Sequence, residues 1–182
     1  MGGTFDPIHL GHLRAAETAR EALGLDQVLF VPAGQPPHRE QPQASPQDRL
    51  AMVGLAAAEH DRFVASDVEL RRDGPSFTVD TLGALRSDHP GDELVLIVGS
   101  DTFPEMRGWR DAERVFALSA VAVVTRPGAA ATPATERVSC VAGPALPVSS
   151  SAIRELLRQR KSVRYLVPLP VADYIEQRGL YR

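Results

Sequence analysis

The sequence predicts an α/β fold: a doubly wound parallel sheet with helices on both faces. Three observations predict it. Short, continuously apolar runs at 28–31, 94–98 and 121–124 have the pattern of strands buried on both sides. Stretches with apolar residues at helical spacing alternate with them, beginning with Leu13, Ala16, Ala19 and Leu23. Turn-forming residues punctuate each change of period, and no internal repeat is present. A chain of 182 residues builds one core and is short for two, so a single domain over 1–182 is expected, with a C-terminal helical part at about 149–182.

In order, the first helix turns Arg14, Glu17, Arg20 and Glu21 away from its apolar stripe, and Gly24 is placed to end it. Residues 28–32 follow as a buried strand. The Pro/Gln-rich stretch 33–45 is too long and polar for a simple connector, which marks a functional or mobile loop. Ser45 is an N-cap with Pro46 at the first helical position, and Arg49 through Ala58 carry that helix. Residues 63–70 read as a strand, 71–75 as a turn, and Ser76-Phe77-Thr78 as the entry to a helix reaching about Arg86. The strand at 94–98 ends in Gly99-Ser100-Asp101, and a helix opens at Trp109 with Val115, Phe116 and Leu118 inward. The strand at 121–124 is stopped by Arg126-Pro127-Gly128, 128–136 is expected to be a mobile loop, and 138–141 is a short strand. Ser149-Ser150-Ser151 caps a helix to about Lys161, and 168–177 is the last helix before Gly179. Such a sheet needs a strand to feed its first turn, yet only Met1 precedes Gly2. Without it the neighbouring strands would face each other across about 10 Å with unpaired backbone on both edges. The expectation is a truncated first strand, with the native start upstream of Met1.

The densest chemistry lies at the start. Gly2-Gly3-Thr4-Phe5-Asp6-Pro7 makes a tight turn that runs through Ile8-His9-Leu10-Gly11-His12 into the first helix. Glycine lets main-chain N–H groups approach an anion, and the first turn of a helix offers unpaired donors at the positive end of its dipole. His9 and His12, at i and i+3, lie on one side of that turn and point donors at one anion. The combination marks a phosphate site. Either part alone would be commonplace, since a Gly-Gly turn is usually only a turn and paired histidines are usually not ligands. Val148-Ser149-Ser150-Ser151-Ala152-Ile153-Arg154 is a second candidate anion site, and alone it reads as an ordinary Ser-capped helix. Asp6 is placed to hold the turn through side-chain-to-backbone hydrogen bonds. No CxxC, HExxH or acidic triplet marks a protein metal site.

These residues resemble the nucleotidyltransferase superfamily with a His-x-Gly-His signature, here His9-Leu10-Gly11-His12 behind Gly-Thr-Phe-Asp-Pro. From Gly2 to Tyr181 the chain is similar to the bacterial nicotinate-nucleotide adenylyltransferases. The resemblance implies a Rossmann-like sheet. It implies adenylyl transfer from ATP to nicotinate mononucleotide, giving nicotinate adenine dinucleotide and pyrophosphate in NAD biosynthesis. It further implies that His9, His12 and Arg154 are catalytic. ATP would meet Gly2, Gly3, Thr4, Phe5, His9, His12, Gly99, Asp101, Arg126, Ser150, Ser151, Ile153 and Arg154, with Ser151 standing where Thr is usual. The mononucleotide would meet Arg39 of the Gly34-Gln35-Pro36-Pro37-His38-Arg39 loop, Arg49, Ser76 and Thr78, with Trp109 stacked on the pyridine ring. Mg²⁺ is the expected cofactor, bridging phosphate oxygens of ATP. The Pro-Pro-His-Arg loop, the Ser-Phe-Thr segment and Trp109 separate this reading from a phosphopantetheine adenylyltransferase-like enzyme. A nucleotide-binding module without turnover is the alternative from another class.

Composition bounds the partners. With 43% apolar and 24% charged residues the chain is of the soluble globular type, and a net charge of −3 leaves no basic footprint for nucleic acid. No signal peptide, no lipidation motif and no apolar run near ~18 residues ties it to a membrane. The single Cys140 excludes an intrachain disulfide and suits a reducing compartment, so a cytoplasmic location is expected. The expected partners are the small molecules ATP and nicotinate mononucleotide, and assembly into a homo-oligomer is left open.

Overall fold

The computed structural model describes residues 1–36, 41–125, 134–144 and 146–182. Its first half runs β1 (Gly2–Gly3), α1 (Leu10–Leu23), β2 (Val28–Pro32), α2 (Pro46–Ala57), β3 (Phe63–Ala65) and α3 (Thr78–Asp88). The second half runs β4 (Val95–Gly99), a 3₁₀ stretch (Phe103–Gly108), α4 (Ala112–Leu118), β5 (Ala120–Thr125), β6 (Val138–Ala142), α5 (Ser150–Arg158) and α6 (Leu169–Arg178). Every ladder between these strands is parallel. They form two three-stranded sheets, ordered β1-β2-β3 and β4-β5-β6, which touch where β1 meets β4. Read across both sheets the order is 3-2-1-4-5-6, the doubly wound arrangement whose direction reverses between β1 and β4. The expected α/β class is therefore the observed one. β1 pairs Gly2 with Val31 and Gly3 with Pro32, and no ladder joins it to β4 among the described residues.

Strand periodicity assigns the two faces. Ile97, Ala122 and Val124 pack with Phe30 against Ala16 and Ala19 of α1, Met52 and Val53 of α2, Ile153 of α5 and Ile175 of α6. Their neighbours Leu96, Val98, Val121 and Val123 point the other way, onto Val79 and Leu82 of α3 and Val115 of α4. Successive residues of a strand face opposite sides, so uninterrupted apolar strands are what a sheet covered on both faces requires. The helix ends follow local chemistry. Ser45 Oγ accepts the Asp48 N–H at 3.1 Å, and Gly24 and Gly179 end α1 and α6 with φ of 64° and 63°.

Two elements differ from the sequence expectation. The strand foreseen over 63–70 stops at Ala65, because Ser66 N–H closes the ladder on Phe30 O and Leu70 N–H turns back to Asp67 O. Val68 still faces inward, beside Val31 and Leu85, which is why the run looked strand-like. Trp109 does not open a helix. It ends the 3₁₀ stretch, and Asp111, in the left-handed region at φ 51°, redirects the chain before α4 begins at Ala112. Of the loop expected at 128–136, residues 128–133 lie outside the described residues, and Thr135 hydrogen-bonds with Val138. No helix among the described residues is long and apolar enough to cross a membrane.

The Met1 nitrogen donates to Leu29 O at 2.7 Å, beside the ladder that joins β1 to β2.

Candidate active site

The glycine turn is fixed to β2 by Val31 N–H on Met1 O (3.0 Å) and Ala33 N–H on Gly3 O (2.8 Å). A Cβ at Gly3 would lie 2.9 Å from Phe5 Cζ, so the turn closes only over glycine. Phe5 itself takes a left-handed φ of 49°, a conformation that costs a non-glycine residue free energy and that its surroundings must enforce. They do so through its buried ring, which meets His12 edge-on at 5.0 Å and Phe30 at 6.0 Å. His9 is the extended N-cap of α1, and its backbone N–H donates to His12 Nδ1 at 3.2 Å. The two imidazoles stack with centroids 3.6 Å apart. A ring nitrogen accepting a backbone N–H carries no proton, so the neutral His12 ring holds its proton on Nε2.

The serine-rich start of α5 comes to the same place. A Cβ at Gly11 would sit 2.9 Å from Val148 Cγ1 and 3.0 Å from His9 Nδ1, so the glycine of His-x-Gly-His is what lets α1 approach the strand of chain leading into α5. Ser149 caps α5 by accepting the Ala152 N–H at 3.2 Å, and its hydroxyl lies 3.1 Å from that of Ser151. Ser150 Oγ donates to Pro7 O at 2.9 Å, and Arg154 Nη1 donates to Asp6 O at 2.8 Å. Segments more than 140 residues apart in sequence are thus hydrogen-bonded through the turn itself.

One cavity of about 1720 Å³ is walled by both segments. Gly2, Gly3, Thr4, Phe5, His9 and His12 line it with Ser150, Ser151 and Arg154. So do Gly99 and Asp101 at the carboxyl end of β4, and Ser76, Thr78 and Trp109 across from them. The walls differ in role. Ser76 Oγ accepts N–H groups of Gly34 and Gln35 at 2.9 and 3.2 Å, so this hydroxyl holds the loop after β2. Thr78 is the first residue of α3, whose N-cap Phe77 provides no side-chain cap, leaving first-turn N–H donors at the cavity. Trp109 is half-buried, packed on the Leu96 and Val98 face of β4 while its exposed part meets the cavity.

Two predicted contacts are placed elsewhere. Ile153 is fully buried in the core, because it lies on the inward face of α5, and its side chain is not on the cavity wall. Arg49 has no exposed surface: Nη1 donates to Thr4 O at 2.8 Å and Nη2 to Gly34 O at 3.3 Å. Burial pushes its pKa down, opposed by Asp6, Tyr181 and Glu69, so the guanidinium supports the turn from beneath rather than facing the main cavity. Arg39 and Arg126 lie outside the described residues.

No sequence signal pointed to Tyr181. Its hydroxyl donates to Asp6 Oδ1 at 2.8 Å, and Asp6 also accepts the N–H groups of Gln43 (2.9 Å) and Ala44 (3.0 Å). An aromatic two residues past a helix-ending glycine follows no period that would reveal such a contact. Among the described residues, no group of three His, Cys, Asp or Glu side chains is placed to hold a metal ion.

Gly11→Ala tests the approach of the two segments. The added methyl is expected to cost about 1–3 kcal/mol through overpacking, read as a lower urea midpoint. Combining it with Val148→Ala, which removes the methyl group it would strike, should restore most of the loss.

Comparison with known proteins agrees with this geometry. The cytidylyltransferase-like family model matches residues 1–156. A nicotinate-nucleotide adenylyltransferase of Thermus thermophilus is 47% identical over 182 residues, covering 100% of this chain and 97% of the relative. One of Geobacter metallireducens is 44% identical over 207 residues, covering 100% and 96%. Among solved structures, the nicotinic acid mononucleotide adenylyltransferase of Plasmodium falciparum complexed with NaAD superposes with a TM-score of 0.83. The match covers 99% of this chain and 94% of that one at 18% identity, a likeness of fold. By the family match over most of its length and by full-length relatives above 40% identity, the chain belongs to the cytidylyltransferase-like family and, within it, to the nicotinate-nucleotide adenylyltransferases.

Proposed function

We propose that this protein transfers the adenylyl group of ATP to the 5′-phosphate of nicotinate mononucleotide, forming nicotinate adenine dinucleotide and pyrophosphate in NAD biosynthesis. The observation that carries this reading is the meeting of the His9/His12 helix start and the Ser149–Ser151 cap on one cavity, with Trp109 and the α3 N-terminus opposite. The names of the full-length relatives and the NaAD complex of the structural relative support the substrate assignment.

In the reaction a phosphate oxygen of the mononucleotide forms a bond to the α-phosphorus of ATP. The bond from that phosphorus to its bridging oxygen breaks, and the electron pair leaves with pyrophosphate. The attacking phosphate is already an anion, so the protein needs no nucleophile and no general base. It must hold two polyanions in line and offset the charge that grows on the departing oxygen. The donors for this are the turn amides at Gly2–Phe5, His9 and His12, the Ser151 hydroxyl and Arg154, joined by the Ser150 hydroxyl if it turns from Pro7 O to a phosphate. Asp101 and Gly99 are suited to the adenosine, and Arg126 to the adenine or phosphates. Ser76, Thr78, Trp109 and Arg39 would serve the mononucleotide, and Arg49 would serve it through the carbonyls it holds. The uncapped first turn of α3 supplies backbone N–H donors of the kind a pyridine carboxylate accepts.

Mg²⁺ carried by ATP would offset charge on the polyphosphate beside the His9, His12 and Arg154 side chains that line the cavity. A cytoplasmic location accords with this chemistry.

Pyrophosphate release from ATP with nicotinate mononucleotide, nicotinamide mononucleotide and phosphopantetheine as acceptors tests the reading. The nicotinate acceptor should turn over fastest. Release with phosphopantetheine alone, or ATP binding with no release at all, would replace it by the neighbouring enzyme or by a binding module. His12→Ala should lower kcat by about 10²–10³-fold, the usual loss when one preorganised donor to a developing charge is removed. Trp109→Ala should raise the KM for the mononucleotide several-fold and leave that for ATP nearly unchanged. Equal losses for both would remove the stacking role.

A further inference from the structure

The loop from Gly34 to Ala44 leaves β2 and returns to α2, and both of its ends are fastened to the phosphate turn by buried polar side chains. At the leaving end, Arg49 bridges Thr4 O of the turn (2.8 Å) and Gly34 O of the loop (3.3 Å). At the returning end, Asp6 of the turn accepts the N–H groups of Gln43 on Oδ2 (2.9 Å) and Ala44 on Oδ1 (3.0 Å). Asp6 is only 4% exposed, so these bonds are shielded from competing water.

A carboxylate gripping two successive N–H groups must be held in one rotation. Two neighbours flank it. Arg154 Nη1 stands 3.8 Å from Oδ2 while donating to the Asp6 carbonyl at 2.8 Å, and could draw the carboxylate towards α5. Tyr181 lies on the other side, 7% exposed, with its hydroxyl on Oδ1 at 2.8 Å. Burial and the Asp6 carboxylate both raise the phenol's pKa, so it donates throughout the working range. The phenol in turn is placed by the end of α6: Gly179 ends the helix, and Leu180 N–H bonds Ile175 O at 3.0 Å.

We infer that Tyr181 is a positioning residue for adenylyl transfer, its hydroxyl fixing the Asp6 carboxylate so that the phosphate turn and the acceptor loop stay in one register. This rests on the adenylyl-transfer reading of the cavity. The tyrosine does not line the cavity. It acts on the gap between the two substrates, the quantity to which an in-line displacement is most sensitive.

Tyr181→Phe keeps the ring and removes the hydroxyl. Its kcat/KM for nicotinate mononucleotide is expected to fall about ten-fold, with the Kd for ATP within about two-fold of wild type, since the turn keeps its bonds to β2 and Arg49. Amide hydrogen exchange at Gln43 and Ala44 should quicken while that at Val31 and Ala33 does not change. Asp6→Asn, which replaces one accepting oxygen by a donor, should give the same pattern, and the double variant should lose little more than either alone. A Tyr181→Phe protein that keeps its kcat/KM within about two-fold, or loses ATP and acceptor equally, overturns the inference whatever its Tm. If the wild-type protein released no pyrophosphate, the functional reading would fail first. The exchange rates would then decide the clamp, and unaltered rates at Gln43 and Ala44 in both variants would end it.

Discussion

The structure depends on how the carboxylate and carbonyl of Asp6 are shared. The carboxylate takes two backbone N–H groups of the incoming loop and a phenol from the end of the chain, and the carbonyl takes the guanidinium of α5. These four attachments come from stretches with no continuity in sequence, and together they fix the glycine turn in space. A buried carboxylate is tolerable only when its lone pairs are filled, so each partner contributes to holding the rest. Removing any one leaves a shielded oxygen of Asp6 short of a donor.

Above that anchor, the site is assembled by close approach rather than by reactive side chains. Glycine at positions 3 and 11 admits the Phe5 ring and the Val148 side chain at distances where a Cβ would force one of them to shift. The result is a convergence of donors: helix starts at α1, α3 and α5, main-chain amides of the turn, hydroxyls and a guanidinium. Phosphates already carry the nucleophile and leaving group of such a reaction, and orientation with charge compensation is the help they need.

Doubly wound sheets bind ligands where strand order reverses, just beyond the carboxyl ends of the strands. Here the reversal lies between β1 and β4, and the glycine turn after β1 and the Gly99-to-Asp101 turn after β4 both line the cavity.

Much of this was legible in the chain itself. Apolar runs of strand length, helical stripes and the Ser45, Gly24 and Gly179 signals settle the class and most element positions, because hydrophobic period and end-capping are local properties. The motif from Gly2 to His12 and the triple serine announce two anion-binding helix starts, since the chemistry of a helix N-terminus is also local. Where local pattern fails, a distant contact has intervened. Residues 66–70 turn although Val68 and Leu70 alternate with polar residues as in a strand, and Val68 packs beside Val31 and Leu85; Trp109 ends a helical turn instead of starting one. That the two helix starts share a cavity, that Arg49 is sealed beneath the turn, and that Tyr181 reaches Asp6 across 175 residues were decided only by the tertiary structure. Sequence encodes which groups can bond. Which of them meet depends on how the whole chain packs, and no local period records that.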